Sequence, residues 1–172
     1  MTGKRFERWV GDHKDRVYNL AYYSLAHREE AEDVTQEVLL RMWKYRDDIN
    51  EDTLGAWLAR VTRNACIDVV RRRKAYSSRI VVNGDAEQFV NARSREPAPD
   101  EMAMAWEFGS KVERALATVQ EPYRSVVILR EIQDMKYEQI GETLELPLNT
   151  VKSYLHRGRR MLRERLNDPG GK

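Results

Sequence analysis

With 172 residues, 41% of them hydrophobic and 34% charged, the chain is long enough for one domain or two small ones and can bury real cores. No apolar run approaches the roughly 18 residues of a membrane span and no secretory leader is visible, so a soluble, cytoplasmic protein without membrane insertion is expected. The lone Cys66 excludes an internal disulfide, His13, His27 and His156 lack metal-ligand spacing, and no glycine-rich phosphate loop is present. No metal, cofactor or catalytic constellation is therefore expected, and the chain does not read as an enzyme.

Helical periodicity dominates. Phe6, Trp9, Val10, His13, Val17, Tyr18, Ala21 and Leu25 recur at helical spacing and predict a first helix over about 5–26. A second, over about 28–46, has Ala31, Val34, Val38, Met42 and Tyr45 as its inner stripe. Its outer face carries Asp33, Gln36, Glu37, Leu40, Arg41 and Lys44. Such a face is often only solvated, but an apolar anchor inside a charged rim also suits protein docking.

A third helix is predicted from about Thr53 to Lys74. Trp57, Leu58, Val61, Ala65 and Val69 cluster on one side; Arg60, Arg63, Asn64, Arg71 and Lys74 cluster on the other. Basic residues at the end of a helix can simply complement its dipole. The run Arg71-Arg72-Arg73-Lys74 exceeds that need, and Arg60, Arg63 and Asn64 lie upstream of it. Phosphate contacts from the cations and a base-edge contact from Asn64 fit this face.

From about Tyr76 to Pro99 the pattern fails. Ser77-Ser78, Asn83-Gly84-Asp85 and Pro97-Ala98-Pro99 predict a linker, within which Ile80-Val81-Val82 could dock as an extended piece. Helices follow over about 100–118, capped by Asp100, and 122–132. The expected architecture is all-α: two small helical domains, 1–75 and 100–172, joined by a flexible linker over 76–99. Asp168-Pro169-Gly170-Gly171 ends the fold and is expected to fray.

Within the second domain, an amphipathic stretch from Tyr137 to Leu144 and a basic one from Thr150 to Leu166 flank Pro147. Proline cannot continue a helix, so the break is forced and a helix-turn-helix results. Asn149 or Thr150 is placed to cap the second helix. Val151, Leu155, Leu162 and Leu166 share one face with Gly158 beside them. Lys152, Ser153, His156, Arg157, Arg160 and Arg163 share the other. A solvated basic face is the plain alternative. The preceding helix and turn favour DNA, because this geometry sets one helix in a major groove.

Net charge is only +2, but charge is segregated. Residues 57–74 carry six Lys/Arg against one Asp, residues 150–166 six against one Glu, and residues 28–37 five acidic residues against Arg28. Two basic patches separated by acidic surface suggest two nucleic-acid contacts and at least one protein contact.

Three segments in this order resemble the extracytoplasmic-function (group IV) sigma factors of bacterial RNA polymerase. They are Asp33-Val34-Thr35-Gln36-Glu37-Val38-Leu39-Leu40-Arg41-Met42-Trp43, Trp57 to Asp68, and Tyr137-Glu138-Gln139-Ile140 with Thr150-Val151-Lys152-Ser153 and His156-Arg157. The resemblance implies that Asp33, Gln36, Glu37, Leu40 and Arg41 dock on the β′ clamp helices of core polymerase. It implies that Arg60, Arg63, Asn64, Asp68, Arg71 and Arg72 meet the −10 promoter element, with the loop Arg46–Asp52 holding an extruded base. Thr150, Lys152, Ser153, His156, Arg157 and Arg160 would read the −35 element. The linker would run toward the RNA exit path, the β flap would be a further contact, and an anti-sigma factor is a common partner in that family. The chain departs from the pattern at Lys136 for a Ser cap, Asn149 for Gly, Tyr154 for Arg and Leu39 for Phe.

The expected function is thus an alternative sigma factor directing promoter recognition, DNA melting and initiation. A free-standing helix-turn-helix regulator is the main rival; it predicts a self-complementary apolar face and a palindromic operator. A helical enzyme or RNA-binding adaptor is a third class, which would need a polar pocket with paired titratable groups.

Overall fold

The structure, a computed structural model, describes residues 3–83 and 100–167, with side chains over 3–78 and 109–167. The described residues are helical and contain no strand. The proposed linker residues 84–99 and the tail 168–172 lie outside them.

Three long helices build the first half: α1 (Gly3–Leu25), α2 (Arg28–Lys44) and α3 (Leu54–Asn83). The turn between α1 and α2 is abrupt. Ala26 takes a left-handed φ of 50°, and its N–H donates to the Tyr22 carbonyl at 2.7 Å. His27 then caps α2 by accepting from the Glu30 N–H through Nδ1. The stripes meet in one core of Trp9, Val17, Ala21, Leu25, Val34, Val38, Met42, Leu54, Leu58 and their neighbours. Two buried threonines stay satisfied by donating back along their own helices, Thr35 to the Ala31 carbonyl and Thr62 to that of Leu58. Cys66 is buried here, and loss of water pushes its thiol up to about 12, so it is an inert filler.

Two expectations for this half are corrected. Tyr45 does not join the inner stripe of α2; the helix ends at Lys44 and the ring stands exposed. And α3 does not stop at Lys74 but continues to Asn83, so 76–83 is helix and Ile80-Val81-Val82 is not an extended piece. The paired serines are tolerated because Ser78 returns its hydroxyl to the Lys74 carbonyl at 2.8 Å.

The second half contains α4 (Asp100–Thr118), a short α5 (Tyr123–Val127) that widens into a π-helical segment Ile128–Ile132, then α6 (Tyr137–Leu144) and α7 (Leu148–Asn167). One further correction applies. α7 starts at Leu148, directly after Pro147, so Asn149 and Thr150 sit in its first turn and neither is the cap. The Val151 N–H closes that turn on the Pro147 carbonyl.

The second core holds Leu116, Val126 to Leu129, Met135, Ile140, Val151 and Leu155, and it also takes in Leu20 of α1 and Ala59 of α3. The two halves therefore share an interface. Burying a leucine fully is worth about 2 kcal/mol. Polar contacts surround it: Arg16 donates to the Gln133 carbonyl at 3.0 Å while Gln133 Nε2 donates to the Arg16 carbonyl at 3.1 Å, and Arg124 reaches the Ser24 carbonyl at 3.0 Å. Tyr22 Oη donates to Glu113 at 3.0 Å.

His13 lines a small cavity at this interface with Arg16, Leu20, Leu58, Gln133 and Met135. Burial, then the adjacent Arg16 charge, lowers its pKa against a weaker pull from Asp12. The unfolded chain, with histidine near 6.5, therefore takes up the proton first, and stability falls as pH drops below about 6.5. Urea titrations at pH 7.5 and 5.5 check this: His13→Gln is expected to lose less stability over that interval than the natural chain.

Candidate nucleic-acid interface

The helix-turn-helix is fixed by backbone fit. In the turn Glu145 adopts a left-handed φ of 56°, and the Leu146 N–H bonds the Gly141 carbonyl at 2.9 Å. A Cβ on Gly141 would stand 2.8 Å from the Leu146 carbonyl oxygen, so glycine is required for this close return. At the start of α6, Gln139 Oε1 accepts from the Lys136 N–H at 2.9 Å and replaces the missing Ser cap with half of a capping box.

α7 presents the predicted cationic face. Val151, Leu155 and Gly158 are buried, while Lys152, Ser153, His156, Arg157, Arg160 and Arg163 are exposed and Thr150 is half-buried. Ser153 Oγ donates to the Thr150 carbonyl. Arg160 pairs only loosely with Glu164, at 3.8 Å with both side chains well exposed. Two residues that support this helix are not evident from sequence. Glu131, on the π-helical segment, takes two hydrogen bonds from Arg159 at 2.8 and 2.6 Å and fastens α7 to that segment. Tyr123 packs its ring edge-on to Tyr154, at 5.1 Å between centroids, and its hydroxyl accepts from Arg157 at 3.4 Å. The only hint was the departure at Tyr154, an aromatic where a cation is common.

The second candidate face, on α3, is divided. Asn64, Asp68 and Arg71 are exposed, with Arg71 near Asp68 at 3.7 Å and Arg72 turned back onto the Asp68 carbonyl. Arg73 points inward, pairs with Glu30 and also meets the Leu25 carbonyl, so it serves the α2–α3 junction. Arg60 and Arg63 reach across to the second half. Arg60 donates to the carbonyls of Glu142 at 2.7 Å and Thr143 at 3.3 Å, with Glu145 at 3.5 Å. Those are orphan carbonyls at the negative end of α6, a natural seat for a cation. Arg63 Nε donates to Ser125 Oγ at 3.0 Å, and that hydroxyl donates on to Glu121 at 2.6 Å.

The acidic α2 face stands apart from these. Asp33, Gln36, Leu40 and Arg41 are exposed and Glu37 is half-buried; Leu40 is 69% exposed, an apolar side chain without a covering partner among the described residues. Arg41 holds Glu37 at 2.5 Å. Beyond it, Trp43 is 45% exposed, carries Phe6 edge-on at 4.7 Å and stacks under the Arg46 guanidinium at 4.1 Å. The loop after Arg46 is tied at its far end, where Asn50 caps Asp52 and Glu51 holds Arg5 and Arg8.

Among the described residues, no group of three or more His, Cys, Asp or Glu could hold a metal ion. None of the described helices is long and apolar enough to cross a membrane.

Comparison with known proteins gives these surfaces a context. Residues 9–76 match Sigma-70 region 2 and residues 110–162 match Sigma-70, region 4. The chain is 35% identical to the ECF RNA polymerase sigma factor SigE of Mycolicibacterium smegmatis, over 94% of its own length and 61% of that protein's. It is 30% identical to SigW of Bacillus subtilis over 92% of its length and 87% of SigW. In fold it is similar to the sigma factor RpoE of Bartonella quintana, solved with the anti-sigma factor NepR, at a TM-score of 0.76 and 22% identity over 97% of this chain and 99% of that one. It is also similar to CnrH, solved with the cytosolic domain of CnrY, at 0.71 and 20% identity over 98% and 92%. The chain belongs to the extracytoplasmic-function sigma factors, alternative subunits that direct promoter recognition and transcription initiation by RNA polymerase.

Proposed function

We propose a division of labour among three surfaces. The exposed α2 face, Asp33, Gln36, Glu37, Leu40 and Arg41, docks on the polymerase β′ clamp helices, with Leu40 as the anchor. The α3 face, Arg60, Arg63, Asn64, Asp68, Arg71 and Arg72, engages the −10 element, and the tethered loop Arg46–Asp52 beside Trp43 receives an extruded base. On α7, Thr150, Lys152, Ser153, His156, Arg157 and Arg160 read the −35 element, while the second half meets the β flap.

The observation that carries this reading is the unspent charge of α7: Lys152 and Arg163 form no ion pair among the described residues, and Arg157 is held only by a neutral hydroxyl. Cations left facing water beside a helix-turn-helix suit phosphates and base edges. Two modest DNA contacts held on one enzyme gain from effective concentration. Extruding a base costs a few kcal/mol, which stacking on aromatic and guanidinium surfaces offsets. No hydrolytic step is assigned to the chain; it acts as a specificity subunit. An anti-sigma factor is its proposed inhibitory partner, since the solved relative RpoE was captured with one.

The test begins by selecting duplexes from a random-sequence library with the pure chain plus core polymerase. The selected duplex is then followed for co-elution and strand opening. A two-part consensus and opening that needs both chain and core are expected. A palindrome bound tightly without polymerase, unaffected by adding it, would return the assignment to the free-standing regulator.

A further inference from the structure

Arg157 and Arg159 stand two residues apart on α7 and are held in opposite ways. Arg159 meets a carboxylate, Glu131, through two hydrogen bonds, so its charge is neutralised within the fold. Arg157 meets a phenol: its Nη1 donates to the Tyr123 hydroxyl at 3.4 Å. A neutral acceptor orients a guanidinium without cancelling its charge. Arg157 therefore keeps its attraction for nucleic acid and gains a preferred direction, whereas Arg159 serves only the packing of α7.

The phenol is itself fixed from two sides. Its backbone lies against α7 one residue beyond Arg157, where a Cβ on Gly158 would stand 3.1 Å from the Tyr123 carbonyl oxygen and 3.5 Å from Tyr123 Cβ. The missing side chain at Gly158 is what lets the start of α5 come this close. The ring is met edge-on by Tyr154, with centroids 5.1 Å apart and planes at 75°. Tyr154 precedes Arg157 by one helical turn and so lies on the same side of α7. A backbone crossing and a ring contact thus set where the hydroxyl sits, and both belong to the packing of the domain.

We infer that Tyr123 is a positioning residue: it aims Arg157 at a base edge of the −35 element and so sets the preference at one base pair through another side chain. This rests on the reading of α7 given above and adds the source of its specificity. A guanidinium carries five N–H groups in a rigid fork. The phenol takes one of them at Nη1, which leaves the Nε–Nη2 edge whole for the paired acceptors of guanine, O6 and N7. A long, flexible arginine otherwise reaches phosphates and base edges alike. Holding one prong of the fork beforehand narrows that choice and lowers the ordering cost of binding. Tyr154 belongs to the same device. It stands where the resembled family often has a cation, so this chain gives up a charge there and gains a buttress for Tyr123.

Tyr123→Phe tests this, because it removes one oxygen and keeps the ring. The full chain with core polymerase is titrated with the library-selected duplex and with single-pair changes across its −35 element. Arg157→Ala first marks the pair that this arginine reads, as the one position where discrimination collapses. At that pair Tyr123→Phe is expected to lower discrimination about fivefold, with preferences at the other −35 pairs, the thermal midpoint and the salt slope nearly unchanged. Added to Arg157→Ala it is expected to change nothing further, since the hydroxyl acts only through that side chain. Natural discrimination at the marked pair in Tyr123→Phe overturns the inference. So does a loss that is spread evenly over all pairs or persists when residue 157 is alanine, because the phenol would then touch DNA itself or serve packing alone. A loss in Arg157→Ala that is equal at every pair overturns it too, by making Arg157 a phosphate contact. Natural affinity and preference throughout in Arg157→Ala would count against the α7 reading instead.

Discussion

Replacing Arg157 and Arg160 together by alanine is expected to lower promoter-directed transcription about a hundredfold while polymerase capture stays within twofold. The magnitude follows from their setting. A good arginine contact with a base or phosphate is worth about 1–3 kcal/mol, so losing two removes roughly 3 kcal/mol, or two factors of ten. Neither residue has a competing strong partner to lose. The pair with Glu164 is exposed and contributes little, and the Tyr123 hydroxyl is neutral. The α7 docking face, Val151, Leu155 and Gly158, lies on the other side, so the fold is left intact. A salt titration separates the roles: the slope of log affinity against log salt is expected to fall by about 2 in magnitude if both are phosphate contacts, less if one reads a base edge. Arg159→Ala is the control. It breaks the Glu131 clamp and is expected to lower thermal stability with little change in salt slope. Full promoter activity in the double variant would remove α7 from the −35 reading.

Much of this was legible because helices announce themselves by period. Trp9, Val17, Ala21 and Leu25, or Val34, Val38 and Met42, can only be gathered on one side by a helix, and they form the first core. The helix-turn-helix was legible because Pro147 forbids continuation, and the family was legible because three segments stand in register. What failed was local competition between weak signals. Ser77-Ser78 reads as a break, yet serine costs only tenths of a kcal/mol inside a helix when its hydroxyl returns to a carbonyl, and α3 ran on to Asn83. Asn149 and Thr150 are good caps by type, but the Val151 N–H already closes the first turn on the Pro147 carbonyl and Leu148 opens the helix. The least legible feature was the meeting of the halves. Arg60 and Arg63 are answered mainly by backbone carbonyls and a serine more than 60 residues away, partners that carry no charge pattern to read. Leu20 sits beside Ala21 in sequence, but it packs into the second core while Ala21 packs into the first.

The packing of the recognition helix yields the sharpest stability test. A Cβ placed on Gly158 would lie 2.5 Å from Val127 Cγ2 and 3.1 Å from the Tyr123 carbonyl oxygen. Alanine normally favours a helix over glycine by about 1 kcal/mol. Here overpacking costs about 1–3 kcal/mol, and part of the obstacle is backbone that cannot rotate away. Gly158→Ala is therefore expected to destabilise by about 1 kcal/mol net, whereas Gly11→Ala, with nothing within 4 Å of the new methyl, is expected to stabilise by a similar amount. Val127→Ala alone should cost about 2 kcal/mol, through lost burial and a small cavity. Combined, each substitution fills what the other empties, because the methyl added at Gly158 occupies the space vacated by Val127 Cγ2. The double variant is expected to be at least about 1 kcal/mol more stable than the sum of the singles predicts, read from urea titrations of all four proteins. Simple additivity would mean that α5 and α7 do not cross at Gly158 as closely as the structure has them. The orientation of Arg157 toward Tyr123, one residue away from that crossing, would then lose its support as well.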